Sequence, residues 1–117
     1  MKKSEIKLFI ELDENSIPEK IEWEAADSNE PGRKEAKSML LSIWDKKDSV
    51  TLGIDLWTKE MFVEDMNLHF YQTFLKMADT YNRATNNFTV AESIRNFAEQ
   101  FARDNLSSKK VDNNESN

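Results

Sequence analysis

Residues Glu5–Leu12 alternate in character: Ile6, Leu8, Ile10 and Leu12 take one side, Glu5, Lys7 and Glu11 the other. Period two predicts a half-buried strand. Phe9 interrupts the polar side and marks a second contact. Asp13-Glu14-Asn15-Ser16 reads as a turn, and Pro18 excludes a central strand at that point. A second strand is predicted over Glu19–Ala25, with Ile21, Trp23 and Ala25 inward. Pairing Leu12 with Glu19 sets Ile10 against Ile21 and Leu8 against Trp23, so the apolar residues share one face.

Asp27–Lys37 is a polar connector around Pro31-Gly32. The next stretch, 34–44, reads two ways. Ala36, Met39, Leu40, Ile43 and Trp44 fit a helical stripe, while Met39, Leu41 and Ile43 fit a strand. The turn residues Asp45-Lys46-Lys47-Asp48-Ser49, followed by VTLGIDLW, favour a hairpin. Its inward pairs are Ile43 with Leu52, Leu41 with Ile54 and Met39 with Leu56, all apolar. On the other face Trp44 stands beside Thr51 and diagonal to Gly53, whose missing side chain the indole can cover.

A long helix is predicted from about Phe62 to Thr85, where Val63, Met66, Phe70, Phe74, Met77 and Tyr81 recur at three- and four-residue steps. Asn86-Asn87 ends it. A second helix has Thr89 as N-cap and Glu92 three residues on, with Val90, Ile94, Phe97, Ala98 and Phe101 as its apolar stripe, and stops near Leu106. The expected architecture is α+β: a four-stranded antiparallel sheet of two hairpins, with two C-terminal helices on one face. Residues 1–106 are expected to form one domain, and 107–117, with a single apolar residue, a disordered tail.

Composition narrows the functional classes. The 117 residues carry a net charge of −6 and no basic stripe, which argues against nucleic acid as a partner. No cysteine is present, so thiol chemistry and disulfides are excluded. Charges interrupt every apolar run, so neither a signal peptide nor membrane insertion is expected, and a cytoplasmic location is the simplest expectation. No cofactor or metal motif is visible.

Candidate chemistry is thin. His69 is the only histidine and could act as a general base, but no nucleophile or orienting partner accompanies it. Asp45 and Asp55 lie too far apart along the predicted hairpin to share a site, and Asp45 is better placed as a turn former. The stronger constellation is the hairpin's outward face, where Leu40, Trp44, Asp55 and Trp57 form a candidate protein-contact patch, with Phe9 as an outlying member. The competing expectation is that the Asp27–Lys37 connector covers these rings. A ligand pocket lined by Trp23, Phe70 and Phe74 is the alternative from another class. A Trp-bearing edge or face can also be self-complementary, which leaves a homodimer open.

The segments IKLFIELDEN, PEKIEWEA, LSIWD, IDLWTKEM, FYQTFLKMADTYNRAT and FAEQFA, in that order, resemble GldC, a gliding-motility-associated family of gliding Bacteroidota. The resemblance spans about Ser4 to Leu106. It implies a non-enzymatic accessory role in gliding motility, coupled to type IX secretion, with a protein partner in that apparatus. It assigns no role to any individual residue.

Overall fold

The computed structural model describes residues 1–107, and from residue 108 on the expected tail lies outside the described residues. The fold is α+β, with antiparallel strands followed by two C-terminal helices. The chain divides into two compact units, the first covering Met1–Met61 and the second beginning at Phe62.

In the first unit, β1 (Ile6–Leu12) and β2 (Pro18–Ala25) form an antiparallel hairpin. Ile10 faces Ile21 and Leu8 faces Trp23, the register that apolar matching predicts. The ladder slips at its turn end, where Leu12 meets Pro18 rather than Glu19. Proline is tolerated there because it is the first residue of its strand. Asp13 shapes the turn: its Oδ1 accepts from the backbone N–H of Asn15 at 2.8 Å and of Ile17 at 3.0 Å. The first of these is the two-residues-on bond for which aspartate is favoured in turns.

The connector is shorter than its composition suggests. Gly32 takes a left-handed φ of 96°, which glycine adopts at little cost, and the chain then enters a short strand β3 (Lys34–Ala36) on the edge of β2. One residue later begins β4 (Ser38–Trp44), which pairs with β5 (Thr51–Trp57). Segment 34–44 is therefore extended, and its helical reading is set aside. It forms two strands because the chain bends at Lys37, the first piece serving β2 and the second β5. The sheet order is β1-β2-β3, with β4-β5 as a separate two-stranded ladder.

The second unit holds α1 (Val63–Thr85) and α2 (Phe88–Ala102), followed by a π-helical turn, Arg103–Ser107. The Asp65 carboxylate accepts from the Phe62 backbone N–H at 3.0 Å, closing the start of α1. Asn86 ends α1 in a left-handed conformation, φ 60°. The cap of α2 is Asn87, not Thr89, which lies inside the helix; Asn87 Oδ1 accepts from Val90 N–H at 3.2 Å. Glu92 instead pairs with Arg95 at 2.7 Å. Ala78, Ala91 and Ala98 are fully buried in the two helices. Phe74 sets its ring edge-on to Phe97 and Phe101, with centroids 5.2 and 5.4 Å away. Val63, by contrast, belongs to the periodic stripe yet stands exposed at the start of α1.

Among the described residues Ile21 is the single large side chain that is fully buried. Packing is thin, and much apolar surface faces outward.

Candidate functional site

The β4–β5 hairpin has the register that its turn chemistry predicts. Asp45 Oδ2 accepts from the N–H groups of Lys47 and Asp48 at 3.1 and 2.6 Å, and Ser49 adopts a left-handed φ of 52°. Asp45 N–H donates to Val50 O at 2.8 Å, and Ile43–Leu52, Leu41–Ile54 and Met39–Leu56 follow in step. Asp45 is accordingly a turn residue. Asp55 lies across from Leu40, toward the opposite end of the ladder.

Leu40, Trp44, Asp55 and Trp57 all fall on one face, together with Ser38, Ser42, Thr51 and Gly53. Trp44 is 67% exposed and Trp57 53%; Asp55 is exposed and Leu40 half-buried. Asp55 Oδ2 lies 3.9 Å from the position a Cβ on Gly53 would take, so the carboxylate leans along the strand into the space that glycine leaves. Ile17 and Pro18 line an open cleft with Asp55, Leu56 and Trp57. Nothing in the local pattern of residues 13–18 foretold that neighbour, because the approach depends on the bend at Lys37.

Phe9 belongs elsewhere. It sits opposite Glu22 on the β1–β2 ladder, and the Arg33 guanidinium lies 3.5 Å from its ring centroid. Arg33 Nη1 also bonds Glu22 Oε1 at 3.2 Å. The connector thus covers Phe9, while the indoles of Trp44 and Trp57 stay open.

The opposite face of the hairpin is also open. Ile43, Leu52 and Ile54, expected to point inward, are each about half exposed. One side is apolar throughout, the other sets two indoles and Leu40 among polar residues, and a two-stranded ladder alone is marginal in water. Alternation identifies the residues on each face but not whether a face is covered.

The rings considered for a ligand pocket are engaged within their own units. Trp23 lies under the Lys34 ammonium at 4.9 Å, and Phe74 is packed against Phe70, Phe97 and Phe101. His69 is partly buried, and its Nε2 is shielded with no hydrogen-bond partner among the described residues. Among the described residues no cluster of His, Cys, Asp and Glu could hold a metal ion, and no helix is long and apolar enough to cross a membrane.

No curated protein and no solved structure matches the chain. A family model does match, over residues 18–106, a span that takes in β2 through α2 and both exposed indoles. The family is a motility-associated one and not a known enzyme family. The chain belongs to the GldC-like family of gliding motility-associated proteins.

Proposed function

We propose that the chain is a non-enzymatic, cytoplasmic adaptor of the gliding apparatus, and that it captures a protein partner of that machinery on the face formed by Leu40, Trp44, Asp55 and Trp57. The observation that carries this reading is the exposure of two indoles on one ladder face, 67% and 53%, while the connector shields Phe9 instead. Two exposed tryptophans at the two ends of one ladder face, with Leu40 and Asp55 between them, supply the residue types enriched at interface centres. Asp55 between them favours a partner that offers an arginine or lysine: the cation can pair with the carboxylate and lie over an indole.

The test is the Trp44→Ala/Trp57→Ala double variant, expressed in gliding cells and crosslinked in place. The expected result is loss of a crosslinked motility protein that the unaltered chain captures, with the circular dichroism of the purified variant unchanged. Undiminished capture by the folded double variant would sink the assignment. Asp55→Lys separates charge from area. It should weaken capture of a basic partner, and an unchanged yield would remove the charge argument.

A further inference from the structure

The outer edge of β5 forms no backbone hydrogen bond, and Ile17 and Pro18 stand beside its Asp55–Trp57 end. Asp45 N–H donates to Val50 O, and Thr58 N–H donates to Lys37 O. Antiparallel ladders alternate bonded and non-bonded pairs, so the bonded pairs between these two are Ile43–Leu52, Leu41–Ile54 and Met39–Leu56. The N–H and C=O groups of Thr51, Gly53, Asp55 and Trp57 therefore point away from β4, and no hydrogen bond of the described residues engages them. The strand is seven residues long, has no proline or lysine, and holds one charge. The outer strand of the other sheet, β1, is different: it carries Lys7 and Glu11 and a register slip, devices that discourage pairing.

We infer that β5 pairs antiparallel with β5 of a second copy, joining two hairpins into one four-stranded ladder about a two-fold axis at Ile54. Three features of this strand select a copy of itself. Outward-pointing groups must meet outward-pointing groups, which allows only registers that match Thr51, Gly53, Asp55 and Trp57 among themselves. Of these, the one centred on Ile54 overlaps the whole of Thr51–Trp57. In it Leu52 meets Leu56 of the second copy and Ile54 meets its own counterpart, so one face is wholly apolar. On the other face Asp55 meets Gly53 and Trp57 meets Thr51, so no like charges are opposed. The contact is self-complementary, uses the β5 edge of each copy and leaves β4 at either margin of the ladder.

This pairing is independent of the adaptor reading, and a purified chain suffices to test it. The chain has no cysteine, so one introduced thiol reports one position. Ile54 falls at a non-bonded pair on the axis, where Cα atoms are about 4.5 Å apart, within the range a disulfide spans. Ile54→Cys, oxidised with diamide, should run as a disulfide-linked dimer at least tenfold more abundant than Ile43→Cys gives. Ile43 is a fair control because the two positions are equally open, 48% and 49%, but it lies one strand away from the axis. Thr51→Pro in the Ile54→Cys background removes an outward N–H and no bond to β4, and should cut the linked dimer severalfold. Light scattering of the unaltered chain should give a dimer mass. Equal yields from the two cysteine variants, or a strictly monomeric unaltered chain, would overturn the pairing.

Discussion

The guanidinium of Arg33 rests 3.5 Å from the centre of the Phe9 ring while its Nη1 holds Glu22, so one connector side chain covers the single apolar residue on the polar face of β1. The arrangement satisfies a planar cation on both of its faces of chemistry, ring below and carboxylate beside. Arg33 is about half exposed and Glu22 largely covered. Arg33→Ala should therefore lower stability by about 1 kcal/mol, after allowing for screening of the exposed part. Arg33→Lys should recover less than half of that, because an ammonium keeps the charge and loses the stacking plane. Urea unfolding of the three proteins measures both differences.

Gly53 is replaceable. Its φ lies outside the left-handed region, and an added Cβ would meet only Leu41 O at 3.8 Å and Asp55 Oδ2 at 3.9 Å, ordinary contacts. Gly53→Ala should raise stability by about 0.5 kcal/mol, mainly by restricting the unfolded chain. A midpoint shift in thermal unfolding checks it, and a fall would show that the strand needs glycine there.

The start of α2 separates two candidate caps. Asn87→Ala removes the bond to Val90 N–H and should cost about 1 kcal/mol. Thr89→Ala touches no capping bond and should be neutral within about 0.5 kcal/mol. Equal losses in the two variants would place the cap at the wrong residue.

Asp13 gives the chain an acid-sensitive turn. The N–H of Ile17 holds its carboxylate below the usual value of 3.8; desolvation opposes it, and the N–H of Asn15 and the Lys59 charge add to the lowering. A depressed carboxylate contributes stability that is present above its unfolded-state value and is lost as pH falls through the folded one. Stability should thus drop below about pH 4. Asp13→Asn should flatten that part of the profile, since the amide oxygen accepts the same bonds without titrating. Unfolding midpoints followed from pH 6 to pH 2 report the difference.

Local pattern carried the ladders. Alternation in Glu5–Leu12 and Glu19–Ala25 fixed the Ile10–Ile21 and Leu8–Trp23 pairs, and Asp45 with its loop fixed Leu41–Ile54. The α1 limits followed from its periodicity and from Asn86. What escaped depended on contacts between distant residues. Strand β3 hides in a polar connector because Lys34 and Glu35 have little strand character of their own; β2 recruits them. The α2 cap was misplaced because Thr89 and Glu92 have capping-box spacing, while Asn87, two residues earlier, already holds the cap. At the candidate site the sequence indicated which side chains share a face, but exposure of Ile43, Leu52 and Ile54 depends on what lies above them, which no local period encodes.

Lys37 is all that stands between the strand held by β2 and the strand held by β5. The outlook of the whole β4–β5 arm is consequently set by an odd-or-even count of residues at one place. Lengthening the chain there by a single residue would roll the arm half a turn, so that the tryptophan side and the Ile43, Leu52 and Ile54 side exchange directions. Relatives that gain or lose one residue at this joint would present a different surface while keeping every strand.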